Sequence, residues 1–407
     1  MTLRFLVCGA APSAVAGNAT STQVLCDALE AFGSVDVLTH AIRLPAWNET
    51  VTDARRLITV GVQPLTVHGE AALSGRLFRG RLRAANYDLI WSVNSRYAGM
   101  PRYAGVPYLV WEATPIRDEM RASSVREVRR AGRGSGIGLM AHRVSLGIGE
   151  RLERRALAGA TKVYAMSEYT RARVLAIHHL PSSHVNVLLH PPTRGYLDAL
   201  KRRGGVSARA QRHIDATPRL LFVGRADDPR KNLSLLFDAC RLLDGNGFPV
   251  HLTVVGPHTD RWARGRLFAP NVDLLGSVDI DRLVEVYLSH DVLVLSSRQE
   301  GFGIVIAEAL HAALPIVTTP CGGPEDVLRR SEGGVVAGNT AEELAGAIRA
   351  LVANQGAWHR ASRKGMQFAA TELSFARLTA NVRAILRQVI ADDRLTRESI
   401  LATTAAG

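Results

Sequence analysis

The sequence predicts an α/β protein of two similar halves, and three observations carry that expectation. The chain has 407 residues, long for one hydrophobic core and natural for two. Each half opens on a short apolar run that ends on glycine and leads into a helical pattern, at residues 3–32 and again at 219–243. Residues 291–326 repeat that plan as strand, glycine-bearing loop, helix and strand, the arrangement that places loops at the carboxyl ends of parallel strands.

Composition bounds the partners. Apolar residues make up 47% and charged residues 21%, the balance of a globular chain. Basic residues outnumber acidic ones 50 to 37, for a net charge of +13, which favours anionic partners such as nucleotide sugars, acidic lipid surfaces or nucleic acid. Cys8, Cys26, Cys240 and Cys321 lie far apart with no metal-ligand spacing, as in a reducing cytosol. No apolar run approaches the length of a membrane-spanning helix, so a cytoplasmic location is expected.

Taken in order, residues 3–9 read as a strand and 10–18 as a loop of small residues that includes Gly17. A helix follows over 19–32, with Val24, Leu25, Ala28 and Leu29 on one side. This is a Rossmann-like opening without the dinucleotide GxGxxG. A second strand covers 35–38, weaker elements fall in 54–61 and 69–84, and strands are expected at 87–93 and 107–112. Ten arginines fall between 117 and 155. They suit either an acceptor loop or basic helix lying on anionic lipid, or an ordinary solvated face. Glu127, Glu150 and Glu153 dilute the charge and tip the balance to the solvated face. Ser167 is expected to N-cap a helix reaching 175. A strand at 185–189 closes the first half, and His190, next to two prolines, reads as structural.

In the second half, a strand at 219–225 leads to Arg225 and Lys231, which bracket a short loop before a helix. Two fixed cations beside a helix N-terminus make a diphosphate clamp. Arg230, between them, reads as solvated. Strands are expected at 251–257 and 271–278. Asp279-Ile280-Asp281 has the form of a metal-binding Asp-x-Asp, but it stands where acids cap a helix. After the strand at 291–295 come Glu300, Gly301, Phe302 and Gly303, then a helix from Ile304 to the Pro315 break. The glycines let backbone approach a ligand, and the helix start offers N–H groups that suit phosphate. Glu308 lies about 6 Å further along the axis at 1.5 Å per residue. Carboxylates on both sides of a phosphate match hydroxyls on both sides of it, the pattern of a sugar nucleotide. A strand at 334–336 and helices at 341–352, 358–371 and 375–390 complete the chain.

The run from Glu300 to Glu308 resembles the Glu-x7-Glu motif of retaining glycosyltransferases of the GT-B fold, family four. The Leu314-Pro315-Ile316-Val317 and Gly322-Gly323-Pro324-Glu325 segments are similar to that family too, as is the pattern of Gly224-Arg225 followed by Lys231-Asn232. The resemblance covers nearly the whole chain and is sharpest from 220 to 326. It implies two Rossmann-like domains facing across a deep cleft. Residues 1–195, with a returning helix at 374–395, form the acceptor domain, 196–216 the linker, and 217–373 the donor domain. It also implies transfer from a nucleoside-diphosphate sugar, UDP favoured over GDP, to a hydroxyl of a small natural product, saccharide or lipid carrier. No metal or other cofactor is expected.

On this reading Arg225 and Lys231 hold the diphosphate, Glu300 the sugar and Glu308 the ribose. Gly301, Phe302, Gly303 and Ile304 line the donor between them, Leu275 meets the base through its backbone, and Gly17 faces the donor phosphate from the first domain. Family members commonly carry a His at the end of the 107–112 strand, where this chain has Glu112. Glu112 either holds an acceptor hydroxyl or amine, or pairs with an arginine. Rival readings are an epimerase of the same fold, a pyridoxal-phosphate phosphorylase and a basic nucleic-acid-binding protein. No motif with stacking aromatics supports the last, so no nucleic acid is expected.

Overall fold

The computed structural model describes residues 3–10, 17–41, 46–52, 55–61, 73, 76–124, 136–204, 213–264 and 271–405. They form two sheets. The first contains β1 (Leu3–Cys8), β2 (Gly33–Ala41), β3 (Ala46–Thr52), β4 (Arg55–Gly61), β5 (Leu89–Val93), β6 (Tyr108–Glu112), β7 (Lys162–Ala165) and β8 (Val185–Val187). Its order is β3-β4-β2-β1-β5-β6-β7-β8, and only the β3–β4 pair is antiparallel. The second contains β9 (Arg219–Val223), β10 (His251–Val255), β11 (Val272–Gly276), β12 (Val292–Leu295), β13 (Ile316–Thr318) and β14 (Gly334–Val336), in the parallel order β11-β10-β9-β12-β13-β14.

The reason for parallel sheets is visible in the strands. All five residues of β5 and of β6 are buried, as are all four of β12. Runs apolar on both faces need helices on both sides, which crossover connections supply. One buried cluster is continuous between the sheets, from Trp91 and Trp111 through Tyr196 and Phe302 to Leu293 and Ile306. Two further clusters cover the outer faces.

Each sheet reverses direction once. The chain leaves β1 outward through β2 and returns on the other side as β5; it leaves β9 through β10 and returns as β12. Crevices at such reversals, outside the carboxyl ends of the strands, are where open α/β sheets bind ligands. Gly9 and Asn94–Arg96 follow β1 and β5, while Arg225–Lys231 and Ser296–Glu300 follow β9 and β12.

The returning helix is present as Phe375–Ala405. It packs on the helix Gly17–Leu29 of the first domain, and Arg383 lies over the Phe32 ring at 5.7 Å. Two elements escape the sequence reading. β3 is a polar edge strand with Val51 83% exposed, so it lacks the apolar run that marks the others. The segment read as linker begins with a helix, Arg194–Arg202, capped by Thr193. Tyr196, Ala199 and Leu200 are its buried face, an i, i+3, i+4 stripe hidden by the basic residues after it. Gly17 is the first residue of its helix; the loop before it, at 11–16, lies outside the described residues. No helix among the described residues is long and apolar enough to cross a membrane.

Candidate active site

The reversal in the second sheet brings the donor residues together. Lys231 follows β9 and Glu300 follows β12, and Lys231 Nζ donates to Glu300 Oε1 at 2.5 Å. Ser297 Oγ donates to the same oxygen at 2.9 Å. The two loops are joined by their backbones, with Arg298 N donating to Arg230 O at 2.7 Å, and Ser296 Oγ donates to Lys231 O at 3.0 Å. Lys231 and Glu300 therefore form one unit, with side chains only 21% and 13% exposed, where the sequence reading gave them separate tasks. Arg225 is exposed at the mouth of a cavity of about 260 Å³ shared with Glu119, Asp228 and Arg230.

Arg230 is not solvated as the sequence reading expects. It binds Asp228 at 2.8 Å and reaches across to Glu119 of the first domain at 3.1 Å. Glu119 is also held by Arg96. The resulting chain of opposite charges joins the two domains at the cleft.

Glu308 stands on the helix Ile304–His311, which Gly303 begins in the left-handed conformation, φ +78°, where a side chain would be strained. Its carboxylate Oε2 accepts from Tyr287 at 2.7 Å. Burial pushes its pKa up to about 7, partly offset by that hydroxyl. Leu275 is exposed on the edge strand β11, and the pairing with β10 passes from Leu274 to Gly276. This bulge omits Leu275 from the register, and bulges commonly re-aim residues beside binding sites.

Gly301 and Phe302, expected to line the donor, also make the contact between the domains. A Cβ on Gly301 would stand 1.7 Å from Ala113 O, so glycine is required by the first domain's backbone. Ser167 Oγ, the N-cap of the helix Glu168–His178, donates to Gly301 O at 2.6 Å. Thr170 Oγ1 donates to Ala113 O at 2.8 Å, and Tyr169 N–H donates to Asp326 of the second domain. Phe302 is 2% exposed, with its ring 6.3 Å from that of His190. His190 stacks on Trp111 at 4.9 Å and accepts or donates to Ser21 at 2.9 Å. Burial lowers its pKa to about 4, so it is a neutral structural histidine.

Glu112, expected either to hold an acceptor or to pair with an arginine, lies in the interior. It has no exposed surface, and among the described residues it pairs with no arginine. Its oxygens accept from the backbone N–H of Ser95 at 2.7 Å and of Thr114 at 3.2 Å. Burial, and then the neighbouring Glu153, raise its pKa to about 8. It ties the end of β5 to the end of β6. Glu153, equally buried, accepts from Ser95 Oγ at 2.8 Å.

Among the described arginines of 117–155, Arg117 is paired with Glu150 at 2.8 and 2.5 Å, and Arg151, Arg154 and Arg155 are exposed on a helix; Arg126, Arg129, Arg130 and Arg133 lie outside the described residues. Asp279 caps its helix by accepting from Arg282 N at 2.8 Å, and Asp281 pairs with Arg202 at 2.9 Å. Both halves of the apparent Asp-x-Asp thus have structural work. Among the described residues, no group of three His, Cys, Asp or Glu side chains is arranged to hold a metal ion.

Comparison with known proteins bears on the family and the fold. Residues 217–354 match the family described as glycosyl transferases group 1. The chain is 29% identical over 238 residues to a D-inositol 3-phosphate glycosyltransferase of Geodermatophilus obscurus, covering 52% of this chain and 51% of that protein. It is 34% identical over 169 residues to a phosphatidyl-myo-inositol mannosyltransferase of Mycobacterium leprae, covering 39% and 45%. The chain thus spans about half the length of these curated relatives. Across almost its full length it superposes on the sucrose-phosphate synthase of Thermosynechococcus elongatus, with a TM-score of 0.75 at 17% identity, covering 96% of this chain and 100% of that one. In residues 217–354 the chain is similar to the glycosyl transferases group 1 family, and as a whole it has the GT-B fold.

Proposed function

We propose that this protein is a retaining glycosyltransferase that moves a sugar from a nucleoside-diphosphate sugar to a hydroxyl acceptor. UDP is the favoured nucleotide and GDP the alternative. The observation that carries the reading is the meeting of Lys231 and Glu300 at 2.5 Å on the strand reversal of the second sheet. The names of the two relatives, which concern inositol-type acceptors, support a polyol hydroxyl as acceptor.

In this mechanism the incoming diphosphate draws Lys231 from Glu300. Glu300, still held by Ser297, is left to accept from hydroxyls of the sugar. Arg225 and Lys231 offset the negative charge that grows on the leaving diphosphate, the task a metal ion performs in other transferases. The bond from the anomeric carbon to the phosphate oxygen breaks as the acceptor oxygen attacks from the same face. The acceptor proton passes to the departing phosphate, so no protein base is needed and the anomeric configuration is kept. Glu112, sealed from the cleft, takes no part. The reaction is set in the cytoplasm, in keeping with the four free cysteines.

The test is turnover with UDP- and GDP-sugars against a panel of polyol acceptors, with and without EDTA, and proton NMR of the product. The expected result is a product with the donor's anomeric configuration and a rate indifferent to chelator. An inverted product, or a rate that EDTA abolishes, sinks the mechanism.

A further inference from the structure

Glu308, expected to hold the ribose, is itself held by two tyrosines. We propose that Tyr287 is a positioning residue for the nucleotide: its hydroxyl fixes one oxygen of Glu308 and leaves the other for the vicinal diol of a ribose. The inference rests on the assignment of Glu308 to the ribose.

The geometry is specific. Tyr287 is fully buried on the helix Ile280–Ser289 and donates to Glu308 Oε2 at 2.7 Å. Tyr196, from the helix between the domains, meets the Tyr287 ring edge-on at 5.7 Å and 88°. It also donates its hydroxyl to the backbone oxygen of Glu308 at 2.9 Å. Side chain and backbone of Glu308 are thus gripped by two rings that brace one another.

The choice of partner has a chemical consequence. Glu300 is paired with a cation, which satisfies its charge before any ligand arrives. Glu308 is given a neutral hydroxyl, one donor for a group that can accept about four hydrogen bonds. Burial makes the remaining acceptor capacity costly to leave empty. A ribose supplies two O–H donors side by side, and a deoxyribose supplies one. The fixed oxygen stops the carboxylate from turning away, so the loss of one sugar hydroxyl is felt in full.

Isothermal titration with UDP, GDP and the 2′-deoxy form of each tests this. The wild-type protein is expected to bind the ribonucleotide about tenfold tighter than its deoxy form, the scale of one hydrogen bond. In Tyr287→Phe, which keeps the ring, that ratio should fall to roughly twofold or less while affinity for the deoxy form barely changes. Glu308→Gln should lose discrimination as well, and adding Tyr287→Phe to it should lose no more. A Tyr287→Phe protein that keeps the full ratio overturns the inference while leaving the role of Glu308 standing. Wild-type protein that fails to discriminate overturns both. Should Tyr287→Phe fold poorly, Tyr196→Phe applies the same test through the brace: an unchanged ratio there counts against it.

Discussion

Each domain carries a glutamate at the carboxyl end of a strand near its reversal, Glu112 at the end of β6 and Glu300 just past β12, yet the two side chains live in opposite worlds. Glu300 meets a lysine and a serine hydroxyl at the mouth of the cleft. Glu112 is sealed behind it by two backbone N–H groups and faces a second buried carboxyl. Parallel topology delivers both residues to the correct edge of a sheet; the partners decide whether chemistry follows. A carboxylate held by a mobile cation can exchange that cation for a ligand. One held by fixed backbone amides and deprived of water can only hold the scaffold together.

Mutating each side separates these roles. The largest effect is expected from Lys231→Ala and Glu300→Gln, each lowering kcat/KM for transfer by roughly 100-fold or more, the scale for losing one group that meets developing charge. Glu112→Gln should instead leave kcat/KM nearly unchanged and cost about 1–3 kcal/mol of stability, because its amide N–H would face an N–H donor. Equal losses of activity from Glu112→Gln and Glu300→Gln would erase the distinction between the two sites.

Next comes the contact that joins the domains. Gly301→Ala must push the donor loop off Ala113, and a displacement of 1 Å at a reacting site costs on the order of 100-fold. Nucleotide binding should largely survive, since Arg225 and Lys231 stay in place, so kcat falls more than affinity. A variant with normal kcat would show that the loops need not touch during turnover.

The smallest effect is on pH dependence. The folded chain holds the Glu112 proton up to about pH 8 and the Glu308 proton up to about pH 7, whereas both carboxyls ionise near 4.5 once unfolded. Unfolding therefore releases protons in this window, and stability falls as pH rises from about 4.5 through about 8. Thermal melts of Glu112→Gln should show a shallower fall in Tm over that range than the wild type. Parallel slopes would mean that Glu112 is ionised in the folded state.

Legibility in the sequence followed the same divide. The loops of the second domain were readable because their residues are close in sequence: Glu300 to Glu308 is one turn and a helix start, and Arg225 to Lys231 one loop. Buried strands announced themselves as apolar runs, and Ser167 as a cap. Arg230 was misread because its partner Glu119 lies 111 residues away. The contact of Phe302 with His190 of the other domain was not legible, because the two lie far apart along the chain. The helix Arg194–Arg202 was overlooked because its buried face is only three residues wide.

By itself, then, the chain's order of residues determined the two α/β halves, the strand ends that bear function and the charges offered at the second of them, since each depends on neighbours within a few turns. Tertiary structure alone decided that Lys231 is shared with Glu300, that Glu112 is closed to ligands and that Tyr196 and Tyr287 brace Glu308. Those outcomes depend on burial and on groups far apart along the chain, and burial sets the cost of a charge more than residue type does.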